Sequence, residues 1–450
     1  MASTMVAIRA AGPPASATAR PRVPGPGRAA SPAGDPVLRF LRGQAVANAG
    51  ATFLLQPFAE GEFGRGAAGP SKAHLAEVNA MLVRMRRLID ENGARMQQAI
   101  QAYAASPDRK PIDEALRLKQ EGGGLISSIE HIRQFYWEIF GQRQTRIAPQ
   151  LLAADRIALD CYQYVYGGLG RARSIPSPAP LSYMESGTGP ATFRRGVAMR
   201  KLLSLPNPFP LVKLPYSRLV TPWTLGAIPH EIGHNLQSDL GLWMVVPKLI
   251  NSRLAAAGVP AADRGIWVRW TKETFADLIG VLLIGPAFVE STMDVVGKAA
   301  DSTGAFNPRG VHPIPYLRVR IGTHLLAKMG FTEEARQING IWSRLYPASV
   351  GDSIPASFRK NFQRSLPVVV DAIVATPFTQ LGGKTLRQVI CFRPQDQEVA
   401  VEAATRLAAG RDPGIVPERF LINAARIAFD RGLAAPGLIT RHFYDALGRR

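Results

Sequence analysis

Apolar residues recur at steps of three and four along much of this chain, a period that predicts helices. Leu75, Val78, Leu82, Met85 and Leu88 make one such face, with Ser71 as the N-cap behind Pro70. Ile126, Ile129, Ile132, Phe135 and Ile139 make a second, on a helix that starts near Pro111 and runs past the glycines at 122–124. A third helical stretch covers roughly 147–166. Phe135, Tyr136, Trp137 and Phe140 read as core aromatics. Residues 37–70 carry no clear period.

The pattern changes after 168. Gly, Pro and Ser become frequent, and Tyr183–Gly189 reads as loop. Phe209-Pro210-Leu211-Val212-Lys213-Leu214-Pro215 is a short strand candidate, and its prolines predict a sheet-edge position. The rest is mostly helical, with a proline-broken segment near 346–380. The expected fold class is mainly α with a small edge-stranded sheet (α+β). Residues 1–36, rich in Ala, Pro and Arg, read as a disordered leader, 37–168 as a helical module, and 169–450 as a second domain with a helical C-terminal part.

Composition adds exclusions. Among 450 residues there are two cysteines, Cys161 and Cys391, too far apart for a CxxC site or a disulfide framework. Net charge is +20, but the cations are scattered, so no specific nucleic-acid site is expected. The longest apolar stretch, Leu278–Val289, is about 12 residues, short of the ~20 that a membrane span needs. No secretory signal is visible. The expected location is cytoplasmic, with organelle import left open because the first residues are Arg-rich.

The chemistry concentrates in His230-Glu231-Ile232-Gly233-His234. Histidines four apart share one helix face, so both imidazoles can reach one ion. Glu231 is placed to take a proton from the water that the ion activates. Pro229 allows two readings: the helix starts at about Ile228, or it starts at Pro222 and kinks at 229. Downstream, Glu273 and Asp277 are also four apart, on a helix stopped by Gly285-Pro286. One carboxylate can complete the metal set. The other can take the second ring N–H of a ligating histidine. Asn235 and Asp239 are further candidates for supporting the site.

HExxH followed by Glu273-Thr274-Phe275-Ala276-Asp277 resembles the gluzincin pattern of zinc metallopeptidases. His312-Pro313-Ile314-Pro315-Tyr316-Leu317-Arg318-Val319 is similar to an element of the CaaX-prenyl endopeptidase and heat-shock membrane peptidase family, here without that family's transmembrane helices. The resemblance covers roughly residues 220–325. It implies a zincin-like domain and one Zn2+ per chain, held by His230, His234 and Glu273. It also implies Glu231 as the base and Asp277 as support for a ligand. His312, Tyr316 and Arg318 are the candidates for holding substrate or the oxyanion. The expected activity is hydrolysis of a peptide or protein substrate. A zinc hydrolase of another amide or an ester, and a catalytically silent zinc-fold scaffold, are the competing readings. His74, His131, His324 and His442 lack partners at ligand spacing and read as structural or surface residues.

Overall fold

The computed structural model describes residues 34–450 apart from 65, 171–173 and 188. The leader lies outside the described residues except for its last three. The protein is mainly helical, with a small sheet. Four helices come first: α1 (Pro36–Ala51), α2 (Lys72–Ala105), α3 (Arg109–Gly141) and α4 (Ala148–Leu169). Then come β1 (Leu181–Met184), β2 (Ala191–Phe193), β3 (Ala198–Met199), β4 (Leu205–Pro206) and β5 (Leu211–Leu214). Next are α5 (Tyr216–Leu219), α6 (Ala227–Asp239), α7 (Val245–Ala256), α8 (Ala261–Ile284), α9 (Pro286–Val296), α10 (Ala300–Gly304) and α11 (Pro315–Lys328). The chain ends with α12 (Thr332–Leu345), α13 (Ala356–Val374), α14 (Leu386–Val389), α15 (Pro394–Ala408), α16 (Phe420–Asp430) and α17 (Pro436–Gly448).

Contacts divide the chain into two compact units, Met1–Gly50 with Asp90–Gly123, and Ala51–Ile89 with Gly124–Arg450. This division does not follow a boundary near 168. The first unit has its own apolar cluster, with Leu41, Met96, Ile100, Tyr103 and Leu118 buried. In it α1 takes up residues for which the sequence shows no period. The second unit holds all the candidate chemistry.

In the second unit Ser71 caps α2, its Oγ accepting from the His74 amide at 3.3 Å. The face Leu75–Val78–Leu82 is buried, but Leu88 is 44% exposed and Ile89 takes the inward place. A strict seven-residue step drifts around a helix of 3.6 residues per turn. Trp137 likewise faces outward at 52% exposure, while Tyr136 and Phe140 are buried.

The sheet corrects two expectations. Tyr183 belongs to strand β1, not to a loop. Leu211–Leu214 is no edge: β5 is the central strand, parallel to β1 and antiparallel to β2. Pro210 and Pro215 lie just outside it, so neither removes a ladder hydrogen bond. The two edges are β1, which packs against α4, and β2, which packs against α6. The prolines near 346–380 also break less than expected, since α13 carries Pro367 in its interior.

The main core lies among the helices, and β5 contributes Val212 and Leu214 to it. Helix α8 is buried throughout its last seven residues, Leu278–Ile284, which explains the uninterrupted apolar run. It ends at Gly285, whose φ of 57° lies in the left-handed region that favours glycine, and Pro286 starts α9. No single helix among the described residues is long and apolar enough to cross a membrane.

Candidate metal centre

Helix α6 begins at Ala227, after a short 3-10 turn at Pro222–Thr224. Pro229 is therefore its third residue, in the first turn, where an N–H has no intrahelical partner to lose. The helix starts near Ile228, the first of the two readings of Pro229. Ile228, Ile232 and Leu236 point into the core, which turns His230 and His234 to the opposite side.

That side meets α8 at close range. A Cβ built on Gly233 would lie 2.8 Å from the Cα of Ala276. Gly233 of HExxH and Ala276 of ExxAD are thus the contact that lets the two helices cross, and their small size puts Glu273 within reach of both histidines. His230 Nε2 lies 3.4 Å from Glu273 Oε2, and His234 Nε2 lies 3.5 Å from Oε1. Ligand atoms of His230, His234 and Glu273 all lie within 4.8 Å of one another, so this group could hold a metal ion. Two ring nitrogens and one carboxylate oxygen form a donor set that suits a transition metal, with room left for a further ligand.

Support for the ligands is unequal. His230 Nδ1 is 2.8 Å from Asp277 Oδ1. Asp277 in turn accepts from Arg318 Nε at 2.8 Å and Nη2 at 2.6 Å, a bidentate pair. Burial alone would raise the Asp277 carboxyl, but Arg318 and His230 hold it down at about 2. Burial opposes charge on His230, yet Asp277 and Glu273 raise its pKa to about 10. With His230 holding a metal, its ring would keep a single proton, and the Nδ1 contact to Asp277 would fix that proton on the Asp277 side. His234 Nδ1, by contrast, is buried and has no hydrogen-bond partner among the described residues. Burial raises the pKa of Glu231, with both histidines opposing, which makes its carboxylate a stronger base.

These groups open into a cleft of about 430 Å³. Its walls include Thr192 of β2, Arg194, Trp243, Phe288 and Thr292 as well as His312 and Arg318. Asn235 ties the metal helix to β2, donating to Thr192 Oγ1 at 2.7 Å and to the Glu231 carbonyl at 2.9 Å. Asp239 is further along, where its Oδ2 accepts from the Tyr162 hydroxyl at 2.8 Å.

The third sequence element divides. His312 is exposed at the cleft, with Nε2 3.3 Å from Glu273 Oε2. Arg318 lines the cleft but is committed to Asp277. Tyr316 is not part of the site. It is 6% exposed, its hydroxyl accepts from Arg320 at 2.8 Å, and its carbonyl accepts from Trp342. Residues two apart on a helix point about 200° from each other, so Tyr316 and Arg318 cannot serve one face. Thr192, Arg194 and Trp243 had no sequence signal, being single residues on short or irregular segments, and Phe288, on α9, read only as part of the apolar run Leu278–Val289. The other histidines are structural or peripheral: His74 Nε2 donates to the Ala179 carbonyl while its Nδ1 accepts from Ser71, and His442 Nδ1 donates to the Leu407 carbonyl at 2.9 Å. His131 is exposed and His324 half-buried. No protein-family model, curated protein or solved structure matches this chain.

Proposed function

We propose that the protein is a zinc-dependent metallopeptidase. One observation carries the reading: three ligands on two crossing helices converge beside a buried glutamate, at the floor of a cleft edged by a β-strand. Zinc suits two imidazoles and one carboxylate, and an ion held by His230, His234 and Glu273 would polarise both a water and the scissile carbonyl. Glu231 accepts the proton from the attacking water and passes it to the leaving amine. Asp277, fixed by Arg318, keeps His230 oriented with Nε2 toward the site. His312, exposed at the cleft, can donate a hydrogen bond to the developing oxyanion.

The free edge of β2 favours a peptide over other amides or esters. An extended substrate can add to that edge by backbone hydrogen bonds. The intact and buried Glu231 speaks against a silent scaffold. The test combines zinc stoichiometry with cleavage of a mixed peptide library, for the wild type and Glu231→Gln. The expected result is about one zinc per chain in both and cleavage only by the wild type. Zinc without any cleavage leaves the scaffold reading; no zinc removes the hydrolase reading altogether.

A further inference from the structure

The cleft has a charged feature that bond hydrolysis does not use. Arg194 follows directly on the edge strand β2, and its guanidinium carbon lies 3.4 Å from the ring centre of Trp243. Lys272, the residue before the ligand Glu273, brings its ammonium to 4.1 Å from the same indole. Arg194 and Trp243 line the cleft together with His230, Glu231 and Glu273.

Neither cation is in an ion pair with a carboxylate among the described residues. The guanidinium of Arg194 makes one long contact, to Ser238 Oγ at 3.5 Å. Burial works against its charge, and the charge of Asp239 opposes that. Two like charges against one indole repel each other, and each stacks on an apolar ring where an acid would neutralise it. A cation in a cleft with low-dielectric walls draws anions toward it. A stacked guanidinium keeps its planar fork of donors, whose geometry matches a carboxylate. The fork also stands at one end of the strand along which an extended chain would lie.

We propose that Arg194, backed by Lys272, is a carboxylate-binding subsite of this cleft, so that the preferred substrates carry a carboxylate on the segment lying along β2. This rests on the peptidase reading above. The carboxylate can be the free C-terminus of a short peptide or the side chain of an Asp or Glu.

The test uses the full zinc-loaded chain and peptides of one neutral sequence in three forms: free acid, C-terminal amide, and amide with a single Asp or Glu. A carboxylate-bearing peptide is expected to exceed the neutral amide in kcat/KM by roughly ten- to hundredfold, the range of a charge-assisted hydrogen bond. Preference for the free acid identifies the chain terminus, and preference for the Asp or Glu amide identifies the side chain. In Arg194→Gln the ratio falls toward one, with Arg194→Lys in between, both variants being checked for native helical content. Equal turnover of charged and neutral peptides overturns the subsite and leaves the peptidase standing. Calorimetry on the Glu231→Gln chain reads the same ratio without turnover. A carboxylate preference in binding with no cleavage by the wild type keeps the subsite and overturns the peptidase. No binding and no cleavage overturns both.

Discussion

On α8, Glu273 and Asp277 stand among two histidines and Arg318; on α9, Glu290 and Asp294 share Arg426 with Asp430 of α16. Both groups place carboxylates near a cation in the same unit. They differ in how the charge is answered. Asp277 has a bidentate arginine and a histidine, and its carboxyl is held at about 2. Arg426 must serve three carboxylates, at 3.7 Å from Glu290, 2.5 Å from Asp294 and 2.7 Å from Asp430. Burial, with Asp430 and Asp294 behind it, pushes Glu290 up to about 7 although Arg426 opposes. Among the described residues, only His230, His234 and Glu273 form a group that could hold a metal ion. Clustered acid is thus not enough. What distinguishes the α8 group is a pair of nitrogen donors on a facing helix and an opening to a cleft.

The sharpest break in this contrast comes from the ligands and the base. Glu273→Ala is expected to abolish stoichiometric zinc, and Glu231→Gln to keep zinc but lower turnover at least ~100-fold; Glu290→Gln is expected to do neither. Metal analysis and kcat on the three variants decide this, and zinc unchanged in Glu273→Ala would remove Glu273 from the ligand set.

Next in size is the support for His230. Asp277→Asn is expected to weaken zinc binding about 10- to 100-fold. It also leaves the Arg318 charge buried without its partner, at a cost of ~3–5 kcal/mol in stability. Competition with a chelator and denaturant unfolding measure the two effects. A variant with wild-type affinity would make Asp277 an ion-pair residue only.

The smallest effect sharpens the comparison through pH. The folded pKa of Glu290 lies above its ordinary value of 4.5, so the protonated form favours the fold. Its contribution is lost as pH rises from about 4.5 to about 7. Glu290→Gln stays neutral throughout, so the Tm of the variant relative to the wild type is expected to increase between pH 5 and pH 8. A pH-independent difference would contradict the raised pKa. Asp277 has the opposite sign: its stabilisation is present above its ordinary pKa and is lost as pH falls toward about 2.

What the sequence made legible follows the reach of helical spacing. His230 with His234, and Glu273 with Asp277, are four apart, so each pair's common face is written in its own segment. That Asp277 would take the second N–H of a ligating histidine could also be anticipated, but which histidine comes only from the fold. Tyr316 shares the His312–Val319 segment with Arg318, but helix geometry sends it to the core. The order of strands was hidden because prolines flank β5 and do not interrupt it. A three-residue strand such as β2 shows no alternation at all. Arg194 and Trp243 meet only through the fold, so no local pattern announces them.

Gly233 against Ala276 has one more consequence, for the entropy of metal capture. Helices in contact at their backbones have no room to slide, so the three donor atoms are already arranged when an ion arrives. Little chain freedom is then lost on binding. Stripping the ion with a chelator will leave the helical circular-dichroism spectrum in place, and adding it back will restore binding without a refolding lag. In Gly233→Ala, which must push the helices apart, that preformed arrangement is expected to be lost.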